Sequence, residues 1–178
     1  MTTAKHRLGS ERGMSLIETA IAVAILLIVM VGLLSMAALA TTYTENHGHL
    51  EARTTEYAQD KMEQLLALAY NDAISNTVVF PAVTTPPGTG LAAGGGIDTA
   101  APVDLYVDWL AYDGTLLGGG TTAPSTWFYQ RVWQICVSCG QNPSATVKQV
   151  TVVATVRSSV GRAMIPKSTV VALKASQF

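Results

Sequence analysis

The stretch Gly13-Met14-Ser15-Leu16-Ile17-Glu18, with the uncharged run from Thr19 to Thr44 behind it, decides how the rest of the chain is read. Before it stands a short polar head carrying Lys5, Arg7 and Arg12 against Glu11. After Glu18 no acidic or basic side chain occurs until Glu45, and nearly every residue from Ala20 to Ala40 is apolar. An α-helix rises about 1.5 Å per residue, so roughly 20 such residues cross a hydrocarbon core of about 30 Å. Residues 14–40 therefore read as a transmembrane helix. Glu18 sits at the edge of that run, where burying a lone charge costs on the order of 2.5–3.5 kcal/mol or more. A charge placed there calls for a partner.

The hexapeptide resembles the class III signal sequence of type IV pilins and of the pseudopilins of type II secretion. The resemblance implies that residues 1–13 are a leader, removed on the cytoplasmic face by a prepilin peptidase that cuts after Gly13 and methylates the new N-terminus at Met14. It also implies that Glu18 is the assembly glutamate, which neutralises the terminal amine of a neighbouring subunit in the growing filament. Physical chemistry agrees with the match. Cleavage creates a cationic amine at Met14, four residues from Glu18 and on the same helical face. The helix N-terminus favours the carboxylate, and two charges that are each costly to bury become tolerable as a pair. A basic leader and an apolar run alone would read as an ordinary signal peptide or a single-pass anchor. What sets this chain apart is a cleavage site ahead of the apolar run, with Glu18 beside it. Met14 stands where the family usually has phenylalanine, and the mid-span proline of major pilins is absent, with Gly32 available to loosen the helix.

The 178 residues leave room for one membrane segment and one modest domain. From residue 41 onward eight basic side chains face ten acidic ones, so direct nucleic-acid binding, which needs a basic patch, is not expected. The basic leader argues for a cytoplasmic N-terminus, with everything from about Thr41 onward periplasmic or extracellular. The expected location is the bacterial inner membrane, then a filament.

Residues 41–70 read as an amphipathic continuation of the helix. Leu50, Tyr57, Ala58, Met62, Leu65, Leu66 and Ala69 recur at helical spacing, with Glu51, Glu56, Asp60, Lys61 and Glu63 on the opposite surface and Asn71-Asp72 as the stop. Residues 71–102, rich in Pro and Gly, read as a connecting segment too poor in large apolar groups to pack a core, with at most a short strand at Val78-Val79-Phe80. Residues 103–178 alternate like an antiparallel sheet. Val103, Leu105, Val107 and Trp109 share one face and Asp104, Tyr106 and Asp108 the other. Asp113-Gly114 supplies a turn, and Gly118-Gly119-Gly120 a loose loop. Further strands are expected at 127–137, 147–157 and 169–173, with a hairpin turn at Ser158-Ser159-Val160-Gly161. The fold expected is α+β: a long N-terminal helix, transmembrane then amphipathic, packed on a small antiparallel sheet.

Candidate chemistry is sparse. Cys136-Val137-Ser138-Cys139 follows a strand and precedes Gly140, so a structural disulfide is the first reading, with free thiols or a redox or metal role as alternatives. Zinc would need further ligands, and the sequence has no second cysteine pair. His47 and His49 diverge by about 200° on a helix, which suits a solvated turn better than a metal site. Asp98, Asp104, Asp108 and Asp113 match no calcium loop, and alternating strand carboxylates read as a solvated face. No Ser-His-Asp arrangement, G-x-S-x-G or phosphate loop is present, so no enzyme, cofactor or metal is expected. Trp109, Trp127 and Trp133 read as core or interface anchors.

Together these readings make the chain a structural subunit of a type IV pilus-like filament, nearer a minor pilin than the main subunit. Its implied partners are other pilin-like subunits, the prepilin peptidase, the inner-membrane assembly platform and, before assembly, membrane lipid. The alternatives are a type II secretion pseudopilin, a competence pilin, or a membrane-anchored periplasmic domain with no filament role.

Overall fold

The structure, a computed structural model, describes residues 16–137, 146–158 and 165–176. The chain divides into two compact units, one ending at Thr42 and one beginning at Tyr43. One helix, α1 (Leu16–Ala67), contributes to both. No proline interrupts it, and its hydroxyl side chains in the apolar part fold back onto the helix. Thr19 donates to the Leu16 carbonyl, Ser35 to Val31, Thr41 to Ala37 and Thr42 to Ala38. Such bonds satisfy each hydroxyl without water. Every described residue up to Thr42 is exposed. The helix is long and apolar enough to cross a membrane.

From Tyr43 the same helix is one-sided. Leu50, Thr54, Ala58, Lys61, Met62 and Leu65 form its buried stripe. The expected end at Tyr70 is replaced by an end at Ala67. Leu68 N–H turns back to the Leu65 carbonyl, and Asp72 N–H to that of Ala69. The Asp72 carboxylate then gathers the Ile74 and Ser75 amides and the Ser75 hydroxyl, a local network that competes with helix. No basic residue lies in the last turn of α1. Lysines from the sheet supply the missing positive charge instead. Lys174 Nζ donates to the Leu66 carbonyl at 2.6 Å, and Lys148 Nζ to those of Tyr70 and Leu91 at 2.7 and 2.8 Å.

The sheet comprises β1 (Gly94–Gly95), β2 (Val107–Leu110), β3 (Leu116–Gly119), β4 (Tyr129–Val137), β5 (Val147–Val156) and β6 (Lys167–Ala175). Its order is β3-β2-β4-β5-β6, all antiparallel, with β1 added beside β4. This is the α+β arrangement expected. β1 continues the lane of β2 along β4: Gly94 and Gly95 oppose Ile135 and Gln134, and β2 opposes Val132 to Tyr129. Trp133, between the two, donates its N–H to Tyr106 and accepts from Gly96.

Asp113-Gly114 makes the β2–β3 turn, with Gly114 at φ +88° against the Tyr57 hydroxyl and Asp113 accepting from Thr115 N–H. Three glycine-rich or apolar stretches depart from expectation. Gly118-Gly119, expected as loop, belongs to edge strand β3, paired with Trp109 and Asp108 of β2, and a Cβ at Gly119 would run into the Val78 side chain and the Val107 carbonyl. Val78-Val79-Phe80 is a turn and not a strand: Asn76 bridges to Val83 and its side chain accepts from Val78 N–H. The segment 71–102 is not a mere spacer, since Val78 and Leu91 are buried in the core with Met62, Leu65 and Trp133. The turn expected from Ser158 to Gly161 falls mostly outside the described residues.

Both faces of the central strands are covered. Toward α1 lie Trp133, Ile135, Val150, Val152 and Ala154. On the other face Val107, Trp109, Val132 and Val153 pack under Ala123 and Trp127, carried there by the connection from β3 to β4. Trp109 is anchored by its indole N–H on the Gly120 carbonyl at 2.8 Å.

Gly48, exposed within α1, has no heavy atom within 4 Å of where a Cβ would stand. Gly48→Ala is expected to stabilise the second unit by about 0.5–1 kcal/mol, because alanine loses less backbone freedom in a helix. Urea unfolding of the detergent-solubilised chain checks this.

Candidate functional site

The residues that carry the sequence motif divide between described and undescribed parts of the chain. Gly13 and Met14 lie outside the described residues. Glu18 lies in the first turn of α1, exposed at the head of the apolar run, where the helix dipole favours a carboxylate. Cys136 is the next-to-last residue of β4 and is disulfide-bonded. Cys139, the only other cysteine in the chain, lies outside the described residues. His47 pairs with Glu51 at 3.3 Å one helical turn on. Among the described residues no group of three His, Cys, Asp or Glu side chains is placed to hold a metal.

The densest chemistry is one the sequence reading did not assemble. Asp108, expected on a solvated face, is fully buried against α1, and Lys61, expected on the polar surface of the helix, is 1% exposed. Asp108 stands directly opposite Arg131 across the β2–β4 pair. Arg131 grips it with two bonds, Nε to Oδ1 at 2.7 Å and Nη2 to Oδ2 at 2.9 Å. Lys61 Nζ reaches the same Oδ2 at 2.7 Å, also donates to the Thr77 carbonyl, and lies 4.4 Å from the Trp133 ring centroid. Arg131 Nη1 extends outward to Asp60 Oδ2 at 2.8 Å, and Asp60 accepts from Gln64 as well. Two cations and two carboxylates thus balance, and the three that are buried, Lys61, Asp108 and Arg131, are each held by more than one hydrogen bond or ion pair.

Burial alone would raise the Asp108 carboxyl, but Lys61 and Arg131 hold it below the ordinary carboxylate range. Burial lowers the Lys61 ammonium, with Asp108 opposing and Arg131 reinforcing. Burial would lower the Arg131 guanidinium too, yet Asp108 and Asp60 raise it above its usual value. Beside this cluster an open cavity of about 370 Å³ lies between α1 and the β2–β3 hairpin, lined by Tyr57, Asp60, Phe80, Leu116 and Arg131 among others. Of its polar lining, Asp60, Gln64 and Arg131 belong to the network just described, and Glu56 pairs with Arg53. The arrangement clamps a helix to a sheet.

A signal for the cluster was present in the sequence. Lys61 falls three residues after Ala58 and four before Leu65, on the buried stripe, and Asp108 and Arg131 are the lone charges of β2 and β4. Compared with known proteins, the chain matches no family model, no curated protein and no solved structure.

Removing Asp108 would leave Lys61 and Arg131 buried without their shared anion. Asp108→Ala is expected to cost about 3–5 kcal/mol, whereas Asp108→Leu combined with Lys61→Met and Arg131→Met restores much of that loss. Because the folded Asp108 titrates below its unfolded value of about 3.9, its contribution is complete above that pH and is lost as pH falls further. Acid unfolding of the wild type below about pH 4, with a shallower acid limb in Asp108→Asn, is the expected result in a pH series followed by circular dichroism.

Proposed function

We propose that this chain is a structural subunit of a type IV pilus-like filament, minor-pilin in kind, cut after Gly13 and N-methylated at Met14 by a prepilin peptidase. One observation carries the reading. The Gly13–Glu18 hexapeptide leads directly into a helix that is apolar and exposed through Thr42 and carries a packed sheet from Tyr43 onward. An exposed apolar surface of this extent needs a non-aqueous surrounding. Lipid of the inner membrane supplies it before assembly, and the equivalent helices of other pilin-like subunits supply it afterward. Glu18 then guides extraction by pairing with the amine of a neighbouring Met14. The disulfide at Cys136 supports a head on the oxidising side of the membrane. In this role the ion cluster keeps the sheet in one register on its helix, so that the head presents a fixed surface.

The expected mature form begins at N-methylated Met14, as read by intact mass and N-terminal sequencing of chain purified from its native membrane. Gly13→Ala should retain the leader. Glu18→Ala should insert and be cleaved, yet fail to enter filaments. A wild-type chain still carrying Lys5 and Arg7 would make it an anchored periplasmic domain, and normal incorporation of Glu18→Ala would remove that residue from assembly.

A further inference from the structure

The two lateral edges of the sheet are built differently. β3 is four residues long, contains two glycines and pairs with β2 through a register shift, devices that discourage further pairing. β6 is nine residues long and runs against β5 in unbroken register. Directly opposed residues of an antiparallel pair alternate between hydrogen-bonded and non-bonded. Ser176 N–H donates to Thr146 and Val156 N–H to the Pro166 carbonyl, so the even-numbered residues of β6 turn their backbone groups to β5. Lys167, Thr169, Val171, Leu173 and Ala175 therefore point theirs outward. Among the described residues none takes up those groups. The same residues expose their side chains, Val171 at 55% and Leu173 at 70%, with Ile165 just before the strand at 53%.

We propose that the outer edge of β6 is a recognition surface for an extended strand of another polypeptide, which adds to the sheet antiparallel or parallel to β6. Its backbone meets the outward N–H and C=O groups of Lys167, Thr169, Val171, Leu173 and Ala175. Apolar side chains at alternate positions cover Val171 and Leu173, and a carboxylate answers exposed Lys167. A second copy of this chain fits less well. Thr54 and Thr55 bond Ser168, and Lys174 reaches Leu66, so α1 and β6 run the same way. Antiparallel pairing of two β6 strands would send their helices in opposite directions, against the common membrane orientation of the filament reading. Parallel pairing would set Lys167 and Lys174 beside their own copies. The choice of a foreign strand rests on that reading; the open edge does not.

The test uses the full chain in detergent and a fluorescein-labelled, capped nine-residue peptide alternating Val and Thr with Glu at both ends. Anisotropy should show binding, and N-methylation of the peptide at alternate residues on one edge should weaken it roughly tenfold or more, since several backbone bonds are lost together. Val171→Pro should weaken it likewise. That N–H points away from β5, so the internal ladder is kept. Because the N-methylated peptides probe the wild-type chain, the result does not depend on the proline variant folding. Equal binding by both N-methylated registers, or unchanged binding to a folded Val171→Pro, would overturn the proposal. So would self-association of the chain through β6 without peptide, abolished by Val171→Pro, because the occupant would then be a second copy. Glu18→Ala should bind the peptide as wild type does, which separates failure at this edge from failure of the filament reading.

Discussion

A buried carboxylate shared by two cations holds the second unit together. Asp108 is the point at which β2, β4 and α1 meet: Arg131 fixes it from the neighbouring strand and Lys61 from the helix. Charges removed from water are expensive, and their mutual attraction repays that expense only when geometry and hydrogen bonding are good. Apolar contacts alone would allow α1 to slide or turn on the sheet at small cost, because Ala58, Met62 and Leu65 could find similar partners one turn along. An ion cluster with its remaining valences on the Thr77 carbonyl and Asp60 has no equivalent position. Its contribution is therefore more to uniqueness of packing than to net stability.

This also explains why the connection from Tyr70 to Pro102 is ordered by the core despite its composition. Thr77 must stand where it can accept from Lys61, which brings Val78 under α1 and Phe80 to the rim of the adjoining cavity. Farther along, Leu91 fills the core and Gly94-Gly95 pairs with β4 at a place where a side chain would collide with the Tyr106 ring. Glycine content here marks close approach of backbone to neighbours.

How much of this could be read from residues alone follows from which signals are local. The long helix was legible because an uninterrupted apolar run followed by a one-sided stripe is a local pattern, and the β4, β5 and β6 strands because their alternation is. The Asp113-Gly114 turn was legible for the same reason. The burial of Lys61 and Asp108 is not legible from residue type: Lys61 lies on the apolar stripe by spacing and Asp108 between Tyr106 and Leu110 on its strand face, and only partners more than twenty residues away make those positions tolerable. Val107 and Trp109 do share one face and Tyr106 and Asp108 the other, as alternation implies, but alternation does not tell which face meets the helix or that both are covered. Here the connection bearing Trp127 covers the second face, so both sets of side chains are buried. Glycine strands β1 and β3 have no alternation to read at all.

The lysines that terminate α1 have a temporal consequence. Lys148 and Lys174 lie 78 and 108 residues beyond the carbonyls of Tyr70 and Leu66 that they bond. A chain emerging in order from its N-terminus therefore completes its longest helix well before it makes the groups that close that helix. Until β5 and β6 arrive, the carbonyls of Leu66 and Tyr70 are left to water. Closure of the α1 C-terminal end is thus shared between a local turn, complete as soon as Asp72 is made, and two lysines that arrive with β5 and β6; a chain truncated before those strands would keep the turn and lose both cations.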